Sequence, residues 1–345
     1  MQQVKVGIIG LGAIAEKTHI PILSKLSSVR LDSAVDIDEK RTNKISKKWN
    51  ISNIFNNYED MIKESNIDAV YICLPNFLHY KVAKFALEHN KNVFCEKPMG
   101  LNSNEALELV NIAKDKKLVL AVGYNKRLED QYIKTAQYVQ SLKLGKILQV
   151  NGVVIGGGPY VSWIPASDWF FKDIYGVLFD QGSHIIDLLQ FILNDKISHV
   201  SAISVSTMYD IKTIDNLVVL FKTLNGTIGT LNIGWRHAIY HDSFQIFGTG
   251  GSISSNPSEL EIRHGDDGPY EKLTYHLNMA KQIFSNYFRQ VSNSYIREDI
   301  EFIDAIRFNK NPAATGNDAL RTLEVLEAIR ESIAYEKTVK VNYKQ

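Results

Sequence analysis

At 345 residues, with 45% hydrophobic and 22% charged side chains and no low-complexity tract, the chain exceeds one typical globular core, and disordered and collagen-like classes are excluded. A formal net charge of +1, with lysines spread along the chain, supplies no global field that would draw nucleic acid or an anionic membrane. Cys73 and Cys95 each lie in an apolar strand-like run, which suits buried reduced thiols and a cytoplasmic setting; the N-terminus lacks a secretory cleavage pattern, and no run of about 18 apolar residues suggests a membrane span.

Residues 4–10, 30–36, 69–74, 92–95 and 118–122 read as short β-rich runs, alternating with helical patterns over 14–26, 39–49, 58–64, 77–88 and 103–115. Asn102 or Ser103 is the expected N-cap of the last helix. This alternation predicts an α/β domain over 1–123 with a parallel sheet wrapped by helices. After Gly123 a helix over 129–142 gives way to runs at 147–154, 200–208, 216–224, 227–234 and 244–248, read as neighbouring antiparallel strands with Asn225-Gly226 as a hairpin turn. From Asn317, Ala319, Leu320, Leu323, Leu326, Ile329 and Ile333 recur at helical spacing, so 124–345 is expected to form a second, α+β domain around a large, mostly antiparallel sheet.

Gly10-Leu11-Gly12-Ala13-Ile14-Ala15 directly follows an apolar strand and opens a helix, the context in which such a pattern predicts dinucleotide binding. Gly10 permits a tight turn, Gly12 lets backbone approach a pyrophosphate, and Ala15 lets the helix lie close to the strand, with helix N–H groups offered to the anion. Asp36, 26 positions after Gly10, is placed to accept from an adenosine ribose and to repel a 2′-phosphate, which favours NAD over NADP. Asp38 competes for that role, Arg41 would favour a phosphate, and Asp36 also reads as a plain turn residue. Leu74-Pro75-Asn76-Phe77-Leu78-His79 and Cys95-Glu96-Lys97-Pro98 leave predicted strands at their C-terminal ends, where ligands bind in open parallel sheets, and Lys97 falls near the nicotinamide end.

In the segment 179–189, Asp180, His184 and Asp187 fall on one face at about 100° per residue, with Ile185, Ile186, Leu189 and Ile192 largely opposite. Alcohol oxidation needs a base for the hydroxyl proton and a cation for the developing alkoxide; His184, oriented by Asp180, and Lys97 are candidates. A solvated face of an amphipathic helix explains the same stripe, and a divalent metal is a third reading that lacks a His pair at ligand spacing.

Taken together, VGIIGLGAIA at the N-terminus, AVYICLPNFLH, Glu96-Lys97-Pro98, the segment from Asp180 through His184 to Asp187 and the tail from Pro312 to Val339-Lys340-Val341 resemble the Gfo/Idh/MocA family of glucose-fructose oxidoreductases and inositol dehydrogenases. The resemblance implies a Rossmann domain joined to a sheet used for substrate binding and for forming homodimers or homotetramers. It also implies that Lys97 polarises the substrate oxygen, that His184 is the general acid/base and that Asp180 assists it, with Asn76, His79 and Glu96 lining the cleft. No metal is called for. Where many members carry consecutive glycines, this chain has Tyr175-Gly176-Val177. Arg127, Trp163, Asp168 and Trp169 are substrate candidates, the tryptophans as stacking faces for a sugar ring or equally as core or interface residues, and Gly156-Gly157-Gly158 suggests a lid. The activity expected is hydride exchange between NAD and a secondary alcohol or ketone of a cyclic polyol, sugar or nucleotide-linked sugar; the alternative is a non-catalytic regulator that senses NAD and sugar.

Overall fold

The computed structural model describes residues 3–156, 175–207, 213–235, 237–265, 268–274 and 293–344. Trp163, Asp168, Trp169, Met208 and two of the three glycines at 156–158 lie outside the described residues. The chain forms two compact units, one from residues 1–125 and 279–320, the other from 126–278 and 321–345.

The first unit is built on β1 (Val4–Ile9), β2 (Val29–Val35), β3 (Asn53–Phe55), β4 (Ala69–Ile72), β5 (Asn92–Cys95) and β6 (Leu120–Val122), all paired in parallel in the order β3-β2-β1-β4-β5-β6. This is the doubly wound dinucleotide-binding order. β1 and β4 are almost wholly buried, which is why they read as continuous apolar runs rather than alternating ones. Between the strands run α1 (Ile20–Leu23), α2 (Glu39–Trp49), α3 (Tyr58–Glu64), α4 (Asn76–Glu88) and α5 (Ser103–Lys116). Asp38, Asn57 and Asn102 cap α2, α3 and α5 by accepting from the backbone N–H of Arg41, Asp60 and Glu105. The expected first helix is entered through a π turn over Ala15–His19, in which the Ile20 N–H donates to Ala15 O. Pro21 supplies the reason: it has no N–H for the α-helical ladder and its ring crowds the preceding turn, so the chain opens by one residue.

The second unit holds α6 (Asp130–Gln140) and α7 (Ser183–Leu193), the latter entered through a π turn over Leu178–Gly182. Its strands are β7 (Ile147–Ile155), β8 (Ile197–Val205), β9 (Asn216–Thr223), β10 (Ile228–Gly234), β11 (His241–Gly248), β12 (Gly251–Ser255), β13 (Glu259–Arg263), β14 (Tyr270–Thr274) and β15 (Val339–Lys340). They make one nine-stranded sheet, β14-β13-β12-β11-β7-β10-β9-β8-β15. The sheet is mixed: the 147–154 and 227–234 runs, expected as antiparallel neighbours, pair in parallel as β7 and β10. The chain leaves β7 and returns only after α7, β8 and β9, and such a crossover is what a parallel pair requires. Asn225-Gly226 does turn β9 into β10, with Gly226 at φ 91°. Alternation along the strands gives a buried face, including Val150, Val154, Leu231 and Phe244, and an open one. α7 lies on the buried face, where Gly152 leaves room for Ile185.

Two further helices stand among the described residues, α8 (Asn293–Phe308) and α9 (Gly316–Tyr335). α8 belongs to the first unit, where Phe302 and Ile303 join the core with Val6, Ile8, Tyr71 and Phe94. Just beyond it the Val122 N–H donates to Ala314 O at 3.2 Å. Among the described residues no helix is long and apolar enough to cross a membrane.

Candidate active site

The glycine turn forms as its residues require. Gly10 sits at φ +86°, and a Cβ there would lie 2.5 Å from Cys73 O, so only glycine fits. A Cβ on Gly12 would meet no protein atom within 4 Å, so the space beside it is open to a group approaching from outside. Ala13 and Ile14 continue into the helical turn, and Ala15 is fully buried against the sheet. Asp36 follows β2 directly and faces the turn: its Oδ2 accepts from the Leu11 N–H at 2.8 Å and its Oδ1 from the Asp38 N–H at 2.9 Å. Arg41 Nη1 lies 3.3 Å from the same carboxylate, whereas Asp38 is the N-cap of α2. This turn, its acid and the adjoining helical N–H groups fit a dinucleotide.

The neighbouring strand ends are tied together by two buried histidines. His79, in the first turn of α4, sets Nδ1 2.7 Å from Pro98 O and Nε2 2.8 Å from Leu74 O, joining the Leu74-Pro75-Asn76 turn to the Glu-Lys-Pro turn. Burial pushes its pKa down, and this outweighs the two carbonyls that favour the protonated ring. Glu96 follows β5; its Oε1 lies 3.0 Å from His19 Nε2, and its Oε2 accepts from the Lys97 N–H at 3.2 Å. A Cβ on Gly123 would lie 3.0 Å from that Oε2, so the glycine leaves the carboxylate its space. Burial opposes ionisation of Glu96, but the His19 hydrogen bond and charge outweigh it and hold the carboxyl below its ordinary range. Lys97 itself is half-buried.

In the second unit the expected polar stripe divides. Asp187 is buried and receives Arg127 on two atoms, Nε at 2.7 Å and Nη2 at 2.6 Å, while the guanidinium lies over the Phe191 ring. Arg127, a substrate candidate on the sequence, is therefore buried in an ion pair. Asp180 lies within the π turn and its Oδ2 accepts from Trp235 Nε1 at 2.9 Å. The wider turn breaks the 100° spacing on which the single stripe rests, so the two carboxylates serve different partners. His184, the second residue of α7, is half-buried. Gly176 explains the departure at Tyr175-Gly176-Val177: a Cβ there would lie 2.5 Å from the Trp235 indole, so one glycine is what the tryptophan needs. Among the described residues no three His, Cys, Asp or Glu side chains gather in a way that could hold a metal.

Sequence reasoning missed His19, Asp299 and Trp235. The signal for the first two was a polar residue in a core stripe. Ile296, Asp299, Phe302 and Ile303 share the buried side of α8, and His19 precedes the wholly buried Ile20–Leu23.

A six-stranded parallel sheet ending on a glycine turn, an acid beside that turn and a Glu-Lys-Pro exit define an oxidoreductase of the NAD-binding Rossmann class. Residues 4–124 match the family described as "Oxidoreductase family, NAD-binding Rossmann fold" and residues 132–254 match "GFO/IDH/MocA C-terminal domain", so the chain belongs to the Gfo/Idh/MocA family. An uncharacterized oxidoreductase, YrbE, of Bacillus subtilis is 25% identical, with 99% of this chain and 98% of that one covered. Myo-inositol 2-dehydrogenase of Thermotoga maritima is 23% identical, with 98% of each chain covered. Among solved structures, levoglucosan dehydrogenase in complex with NADH and levoglucosan superposes with a TM-score of 0.85 at 21% identity, over 99% of this chain and 100% of that one, a likeness of fold.

Proposed function

We propose that the protein is an NAD-dependent dehydrogenase acting on a secondary alcohol of a cyclic polyol, sugar or nucleotide-linked sugar. The observation that carries this reading is the Glu96-Lys97-Pro98 turn, fixed by His19 and His79 at the C-terminal edge of the sheet whose glycine turn faces Asp36. When bound, the nicotinamide supplies a hydride acceptor. Gly10, Gly12, Ala13 and Ile14 cradle the pyrophosphate, and Asp36 takes the ribose hydroxyls and disfavours a 2′-phosphate. Leu74, Pro75, Asn76, His79 and Glu96 shape the nicotinamide end, some through the backbone bonds described above.

Lys97 stabilises negative charge on the substrate oxygen, His184 takes the hydroxyl proton, and Asp180, oriented by the Trp235 indole, assists His184. The relatives named for inositol and levoglucosan support cyclic polyhydroxylated substrates. Trp163, Asp168 and Trp169 remain substrate candidates, and the second unit is read as both substrate-binding and oligomerising. Its open sheet face presents Ile203 (81% exposed), Leu220 (57%) and Val218 (45%), an apolar patch suited to a second copy of the chain.

The test is a screen of inositols, aldoses and sugar nucleotides with NAD⁺ and NADP⁺, read by nicotinamide absorbance. Turnover of one class with preference for NAD⁺ is expected; tight NAD⁺ binding without turnover across the panel would instead point to a sensor or to a substrate outside the panel. Light scattering on Val218→Asp reads the interface, with a shift from oligomer to monomer expected.

A further inference from the structure

Asp299 has no role among those assigned above and His19 enters them only as a contact of Glu96, yet both are among the most deeply buried polar residues of the first unit. The imidazole is fully buried, with Nδ1 2.8 Å from Asp299 Oδ1 and Nε2 3.0 Å from Glu96 Oε1. The Asp299 side chain is equally buried and comes from α8, about 280 residues further along the chain. The rings of Phe94, Tyr71 and Tyr295 surround the imidazole at 5.1, 5.4 and 6.2 Å between centroids, which fixes its plane. The π turn forced by Pro21 ends on His19 and so sets its position on the helix.

We propose that His19 is a positioning residue for Lys97: braced by Asp299, it holds the Glu96 carboxylate as a fixed negative neighbour at the base of the Glu-Lys-Pro turn, so that α8 is part of the catalytic apparatus. The inference rests on the reading of Lys97 as the group that stabilises the substrate oxygen.

Proton counting supports it. An ionised carboxylate only accepts, so both ring nitrogens must donate if both acids are charged, which makes His19 an imidazolium. A neutral ring satisfies both contacts only if one acid carries the second proton. Burial favours a neutral ring, but Asp299 and Glu96 outweigh it and hold the His19 pKa well above the ordinary imidazole value. Burial raises Asp299 and is only partly countered by His19, whereas Glu96 is held low. Glu96 is therefore the more readily ionised of the two acids. The other titratable groups around these three are Tyr71 in β4 and Cys73 just beyond it, Cys95 and Lys97 from the end of β5, His79 from α4, and Tyr295 and Glu298 from α8. Among them Lys97 acts on Glu96 in the same direction as His19.

The two acids can be separated by Asp299→Asn, which keeps the shape of the brace and removes its charge. Without that charge the ring becomes neutral: it still donates from Nε2 to Glu96 while Nδ1 accepts from the new amide, but the positive charge that favours the Glu96 carboxylate is lost, so Glu96 takes up a proton at higher pH. The acid limb of kcat/KM, and of NADH affinity titrated by fluorescence without substrate, should move up by about 1 pH unit or more. Nitrogen NMR of ¹⁵N-histidine-labelled full-length protein, with the resonance assigned through His19→Gln, should show both ring nitrogens of His19 in the unaltered chain still protonated above pH 6.5, where an ordinary imidazole is mostly neutral. A His19 whose Nε2 carries no proton in that chain overturns the proposal, because it then gives Glu96 no hydrogen bond. So does an Asp299→Asn enzyme that loses activity with its acid limb unmoved, because that is the mark of a purely structural brace. Lys97→Ala keeps the readings apart: undiminished turnover would remove the catalytic reading of Lys97, while the His19 spectrum reports the brace independently.

Discussion

Each unit carries a histidine at or just after a π turn, and the two are treated in opposite ways. His19 ends the turn over Ala15–His19, is wholly buried, and has both nitrogens against carboxylates. His184 follows the turn over Leu178–Gly182, is half-buried, and shares its helix with an acid, Asp187, that is already paired with Arg127. An imidazole buried between two carboxylates is closed off from a substrate's proton. One that reaches the surface is not. The same residue type on the same local geometry thus serves as a brace in one unit and as an acid/base candidate in the other, and burial decides which.

Substitution at His184 and Lys97 gives the sharpest contrast. His184→Ala is expected to lower kcat by about 10²- to 10⁴-fold, the usual worth of a positioned acid/base, with the NADH dissociation constant unchanged. Lys97→Ala should lower kcat/KM comparably. If His184→Ala keeps near-full turnover, the division of labour between the two histidines fails.

The glycine turn offers a second test, of intermediate size, confined to the first unit. Gly10→Ala places a Cβ 2.5 Å from Cys73 O at φ +86°, and at least about 2 kcal/mol of stability should be lost, seen as a lower denaturation midpoint. Gly12→Ala meets no protein atom within 4 Å, so the midpoint should hold while NADH binding weakens about tenfold, or about 1.4 kcal/mol. Equal effects of both substitutions on stability would mean that Gly12 is a structural residue rather than one that makes room for the dinucleotide.

These differences track what the sequence made legible. The parallel sheet, the distinct turns at Gly10 and Gly12, and the placement of Asp36 after its strand were readable because each depends on local rules: apolar runs, glycine conformations and a fixed spacing. The cap of α5 was readable to within one residue, Asn102 or Ser103, for the same reason, and Asn102 holds it. The brace at Glu96 was not, because its members come from residues 19, 96 and 299 and no local periodicity links them. The parallel β7/β10 pair escaped notice because alternation in a strand gives its faces and says nothing of its direction. β12, β13 and β14 escaped because they are five residues each and outwardly polar, with Lys272 bridging Glu259 and Glu261 across them. The stripe at Asp180, His184 and Asp187 failed as a unit for a different reason: it assumed an unbroken 3.6-residue period through a π turn.

Trp235 tests that last point and carries the smallest expected effect. Its indole N–H donates to Asp180 at 2.9 Å, and losing that one orienting bond, worth about 1 kcal/mol, should lower kcat/KM about fivefold in Trp235→Phe. The ring is also almost fully buried beside Gly176, and a loss of packing would mimic that result. Asp180→Asn separates the causes, since the amide oxygen still accepts the indole bond but the charge is gone. If Trp235 acts by orienting the Asp180 carboxylate, adding Trp235→Phe to Asp180→Asn costs little further activity. If the two losses add in full, Trp235 acts only through packing, and Asp180 must be oriented by other means.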